Sequence, residues 1–119
     1  MDDLSFSAMM AMQRELWQAH SDKWTPLTPE HGRERLLYLF EETGEVISIL
    51  KKKGDAAVME DPAVRAHFLE EWSDVLMYLT DTLLCYGVTP GEIAGAYEAK
   101  HRRNMGRDYT GEYSGKYED

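Results

Sequence analysis

The chain has 119 residues, 43% hydrophobic and 11% aromatic, which fits one folded domain and excludes a wholly disordered chain. Its formal net charge of -9 excludes broad electrostatic binding to a phosphate backbone or to anionic lipid, so neither polymeric nucleic acid nor a membrane is an expected partner. The single cysteine, Cys85, excludes an intrachain disulfide and a thiolate zinc cluster, and with no basic-then-apolar leader after Met1 and no apolar run of roughly 20 residues, a soluble cytoplasmic protein is expected.

The first helix is expected over about Ser5 to His20, where Phe6, Met9, Met10, Leu16 and Trp17 recur at mostly helical spacing. Pro26 and Pro29 then punctuate the chain, and Thr28-Pro29 reads as an N-cap followed by the first helical position. From there a second helix should run to about Lys53, with Gly54 stopping it and a longer loop spanning Gly54 to Pro62. Asp61-Pro62 repeats the start signal for a third helix reaching about Tyr86, and Gly87 ends it. Thr89-Pro90-Gly91-Glu92 carries a capping-box pattern and opens a fourth helix that runs to about Asn104. The expected fold is all-α, a four-helix bundle-like domain over residues 1–105, followed by an irregular tail over residues 106–119.

Two acidic motifs stand on these helices: Glu41-Glu42-Thr43-Gly44-Glu45 on the second and Glu70-Glu71-Trp72-Ser73-Asp74 on the third. Acids spaced i, i+3 share a helix face and can approach one cation or two adjacent ones. On the second helix Leu36, Phe40, Thr43, Ile47 and Leu50 form the apolar stripe expected to face the core, with Tyr38, Glu42, Glu45 and Ile49 beside it. On the third, Phe68, Trp72, Val75, Leu79 and Leu83 form the core stripe, bordered by Glu71, Asp74, Tyr78, Asp81 and Cys85. A lone Glu-x-x-Glu is usually a solvated face. Two such pairs bordering core stripes would repel one another unless a cation joined them, and oxygen-only ligation favours Mg2+ or Mn2+.

Near the end of the fourth helix, Lys100-His101-Arg102-Arg103-Asn104 concentrates cationic groups in an acidic chain. Helix-dipole complementation explains such a run in many proteins, yet Lys100, Arg103 and Asn104 also share one side, which suits phosphate oxygens. Glu98-x-x-His101 is half of a di-iron carboxylate signature without its second half, and the chain contains no Walker A loop.

In its ordered combination of Glu42-x-x-Glu45, Glu71-x-x-Asp74 and Lys100-x-x-Arg103-Asn104, the chain resembles the MazG-like nucleotide pyrophosphohydrolases of the all-α NTP pyrophosphatase superfamily. The long separation of the two acidic pairs departs from that pattern. The resemblance implies a homodimer or homotetramer that hydrolyses a nucleoside triphosphate to the monophosphate and pyrophosphate. It further implies Glu42, Glu45, Glu71 and Asp74 as Mg2+ ligands, and Lys100, Arg103 and Asn104 as phosphate contacts. Glu41 is a candidate for orienting water, and Trp17, His20 and Trp24 are candidates for stacking on the base. Two other readings remain open at this point: a phosphoribosyl-ATP pyrophosphohydrolase, and a non-catalytic helical interaction module.

Overall fold

Helices begin in this chain where a short polar side chain or a proline can satisfy or remove the first amide donors. In the computed structural model, which describes residues 1–107, Ser5 accepts a hydrogen bond from the Ala8 amide and α1 runs Phe6–Ala19. Pro29 opens a 3₁₀ turn, Pro29–His31, which α2 continues as Gly32–Lys53. Thr28 precedes that turn in an extended conformation, but its side chain caps nothing. Gly54 breaks the helix at φ 85°, a conformation that costs other residues dearly. After it come α3, Asp55–Glu60, and α4, Pro62–Cys85, whose cap Asp61 accepts from the amides of Ala63 at 3.0 Å and Val64 at 3.5 Å. Gly87, at φ 67°, turns the chain toward α5, Pro90–Met105, where Thr89 and Glu92 complete the expected capping box.

Among the described residues the protein is all-α, with five α-helices, no strand and no helix long and apolar enough to cross a membrane. One expectation is corrected at Gly54 to Pro62. The stretch is α3 rather than a longer loop: Ala56, Ala57 and Met59 favour helix, and Val58 is buried, but six residues are too few to display a period. The expected tail lies outside the described residues beyond Arg107.

The chain divides into two compact units, residues 1–88 and the segment from Thr89 onward. In the first, α2 and α4 form the principal packed pair, α1 lies against α4, and α3 touches both α4 and α2. Its core is built from Met10, Val46, Ile49, Val58, Val75, Leu84 and Cys85. The second unit contains α5.

The stripe expected to face the core is rotated on α2 and kept in part on α4, where Val75 is buried and Phe68, Leu79 and Leu83 are half-buried. On α2 Leu36, Phe40 and Ile47 are 43%, 65% and 52% exposed, and on α4 Trp72 is 40% exposed. The line that α2 actually buries runs through Arg35, Val46 and Ile49, with Leu39 and Glu42 half-buried between them. On α4 it runs through Val75, Asp81 and Cys85, flanked by half-buried Glu71, Asp74 and Tyr78. Two adjoining apolar stripes make one broad apolar surface, and periodicity alone does not say which part of it meets the partner helix.

Candidate metal centre and adjoining cavity

Because the buried lines of α2 and α4 are the ones carrying acids, packing the two helices brings carboxylates together. Glu42, Glu71 and Asp74, all half-buried, each place one oxygen within 4.8 Å of the others. Glu42 is held above the ordinary carboxylate value by burial first, then by a hydrogen bond with Glu71 and the charges of Asp74, Glu71 and Glu45. Burial also raises Asp74, helped by the charges of Glu71 and Glu70. Three ionised carboxylates this close are unfavourable without a proton or a cation among them. Their donor set, oxygen alone, fits a hard divalent cation such as Mg2+ or Mn2+ and leaves further coordination positions for water or phosphate oxygens.

Glu45, one turn beyond Glu42, is exposed and lies outside this trio. Glu41 is exposed on the neighbouring face. His67 places Nε2 3.3 Å from Glu71 Oε1, one turn before it on α4. The i, i+4 spacing of that pair was visible in the sequence.

A cavity of about 430 Å³ opens beside Asp74, between α1, the segment before α2, α2 and α4. Its wall is held by buried polar contacts. Arg35, 5% exposed, donates to the carbonyls of Thr25 at 2.6 Å and Pro26 at 3.2 Å, groups that the proline-containing segment leaves outside any helix. Trp17 Nε1 donates to the same Thr25 carbonyl at 2.9 Å, so Trp17 anchors the segment. Of the three aromatic candidates only Trp24 lines the cavity; His20 packs behind it, with ring centroids 4.5 Å apart and planes 30° apart. Tyr38 and Tyr78 line the cavity too, with centroids 5.5 Å apart. Burial pushes the Tyr78 hydroxyl up, as do the charges of Glu42, Asp74, Asp81 and Glu41, so it remains a neutral donor.

Sequence reasoning missed Gln13 and Arg35 and placed Asp81 only beside the core stripe. Gln13 Nε2 donates to Asp81 Oδ1 at 3.0 Å, joining α1 to α4, and the two residues are 6% and 8% exposed. The signal was a polar residue at an apolar-stripe position: Gln13 falls between Met10 and Trp17.

On α5, Lys100 and Arg103 are exposed and Asn104 is partly covered, its Oδ1 accepting from Arg107 at 3.2 Å. Glu98 pairs with Arg102 at 2.6 Å, a surface ion pair where a di-iron half-site would need Glu98 with His101.

No protein-family model, curated protein or solved structure matches the chain, so the site is read from its own geometry.

Proposed function

We propose that the protein is a divalent-cation-dependent nucleoside triphosphate pyrophosphohydrolase, releasing the nucleoside monophosphate and pyrophosphate. The observation that carries this reading is the convergence of Glu42, Glu71 and Asp74, of which Asp74 lines a cavity of about 430 Å³, within the size range of small-molecule sites. The ordered acidic pairs that resemble MazG-like enzymes support the same reading.

Glu42, Glu71 and Asp74 would hold Mg2+, with Mn2+ a substitute. When bound, the cation supplies Lewis acidity and neutralises charge on the phosphate oxygens. The three carboxylates would also set where the polyphosphate sits, because each brings one oxygen within 4.8 Å of the others. Trp24 and the Tyr38–Tyr78 pair offer aromatic surface beside it for the base. Tyr78, neutral and next to the acids, donates a hydrogen bond to an anionic group without adding a competing charge. Glu41 is the candidate for orienting the attacking water, and Glu45 a candidate for completing the ligand set. Lys100, Arg103 and Asn104 are proposed phosphate contacts on the sequence pattern alone.

Pyrophosphate release measured over a panel of canonical and damaged triphosphates and phosphoribosyl-ATP, with Mg2+ and with chelator, tests the proposal. Mg2+-dependent release from at least one nucleotide is expected. Its absence across the panel would leave the helical interaction module as the better reading, and exclusive cleavage of phosphoribosyl-ATP would move the assignment to that enzyme class.

A further inference from the structure

One face of α4 carries His67, Glu71, Asp74 and Tyr78, at spacings of four, three and four that hold side chains in line on a helix. Glu71 and Asp74 belong to the acidic trio and Tyr78 lines the cavity beside it. His67 stands one turn nearer the start of the helix, its side chain 59% exposed against 16% for Glu71. The distance of 3.3 Å between its Nε2 and Glu71 Oε1 is one that two ligands of a single cation show. Atoms held at about 2.1 Å from a metal stand about 3.0 Å apart at an octahedral right angle and about 3.4 Å apart at a tetrahedral one. Spacing i, i+4 on one helix face is also a spacing that metal sites use. Glu71 lies within reach of Glu42 and Asp74 as well, so a cation taken by His67 and Glu71 is either the cation of the trio or one that the Glu71 carboxylate bridges to it.

We propose that His67 is a nitrogen ligand of the cation that Glu71 holds, so that the centre favours first-row transition ions over Mg2+. The inference deepens the metal-dependent reading of this site by naming the class of cation, and it rests on that reading. An imidazole nitrogen is a softer donor than a carboxylate oxygen and suits ions such as Fe2+, Co2+ and Zn2+, whereas Mg2+ takes oxygen ligands and keeps much of its water. The trio alone, all oxygen, gives a transition ion no such advantage. A neutral imidazole also adds a donor without adding to the repulsion among Glu42, Glu71 and Asp74. The same contact between His67 and Glu71 also suits an exposed ion pair, which contributes little to stability. The two roles differ in what the imidazole does when a metal arrives: a ligand binds it through the ring nitrogen, and an ion pair does not.

Co2+ is the probe, added to the full-length, metal-free protein without nucleotide. Proton NMR of the complex reports nitrogen ligation directly, because Co2+ shifts the ring N–H of a coordinated imidazole far outside the diamagnetic range, and that resonance vanishes in heavy water. Affinities for Co2+ and Mg2+ are measured in parallel by calorimetric titration. The wild type is expected to show one such resonance. His67→Ala should lose it together with at least about 10-fold in Co2+ affinity, while Mg2+ affinity changes by less than about 2-fold. His67→Gln, which keeps a polar side chain, is the second variant and should lose the resonance too; circular dichroism checks the fold of both. No shifted resonance in the wild type, a resonance that persists in both variants, or equal losses for the two ions would overturn the inference. Nitrogen ligation without pyrophosphate release from any triphosphate would sink the pyrophosphohydrolase reading and leave the ligand standing. Metal-dependent release without nitrogen ligation would do the reverse, and no binding of either ion would remove the metal centre and this inference with it.

Discussion

Glu42 is where burial, charge and packing meet. It occupies a core-facing position of α2, yet it faces Glu71 and Asp74, and burial together with those neighbours raises its proton affinity. A carboxylate whose folded value lies above its unfolded value binds protons more tightly in the folded state. Stability therefore falls as pH rises through the window above the ordinary carboxylate range, and it is recovered as pH drops below that window. At neutral pH without a cation, Glu42 and Asp74 are thus a cost to the fold. Glu42→Gln is expected to raise the melting temperature of the metal-free protein at pH 7.5, to abolish the upward shift that Mg2+ gives the wild type, and to lower turnover at least about 100-fold. Paired thermal melts and pyrophosphate assays check all three, and a variant less stable than wild type without metal would contradict the repulsion argument. The wild-type Mg2+ shift should itself shrink as pH is lowered from neutrality toward the carboxylate range, since protons and cation compete for the same oxygens. A shift independent of pH would place the cation elsewhere. The identity of these acids was legible in the sequence because i, i+3 spacing on a helix is a local geometric fact. The burial of Arg35 and the Gln13–Asp81 bond was not, because each joins positions that only the fold brings together.

At the level of elements, the helix starts were readable and their facing surfaces were not. Ser5, Asp61 and Thr89 cap their helices because a side-chain oxygen reaching an amide two or three residues on needs no tertiary structure. Thr28 follows the same local pattern, yet its side chain makes no capping bond. The registers of α2 and α4 against each other depend on two surfaces at once, so choosing the most apolar stripe put Leu36, Phe40 and Ile47 inward when they lie outward. α4 carries two members of the acidic trio, and its start is tied down by Asp61. Asp61→Ala should cost about 1 kcal/mol, read from chemical denaturation, while leaving turnover at saturating Mg2+ near that of wild type. A large loss of activity with unchanged stability would give Asp61 a role other than capping.

For the whole molecule, the outward apolar surface of α2 is the feature that one chain leaves unresolved. Leu37, Phe40 and Ile47 recur at spacings of three and seven and are 64%, 65% and 52% exposed. A second apolar groove, about 510 Å³, lies between α1 and α4 and includes Met12, Leu16, Leu76 and Met77. Met10 and Leu84 are buried at 3% and 6%, whereas Leu37 and Met77 are 64% and 44% exposed. Exposed apolar patches of this kind mark contact surfaces, so the protein is expected to sediment as a dimer or tetramer at micromolar concentration. Phe40→Glu with Ile47→Glu should shift it toward monomer; a wild type that is monomeric throughout would remove the proposal. The sequence pattern at the end of α5 yields a separate expectation: Arg103→Ala raises KM about 10-fold while the Mg2+-induced thermal shift is retained. The central claim, that the Glu42–Glu71–Asp74 trio serves cleavage between the α and β phosphates, is tested most directly by resolving the primary products chromatographically. A triphosphate substrate is incubated with Mg2+ and no added pyrophosphatase. The account predicts nucleoside monophosphate and intact pyrophosphate in equal amounts, lost in Glu42→Gln. Diphosphate with orthophosphate as the primary products, or turnover that survives Glu42→Gln, would contradict it.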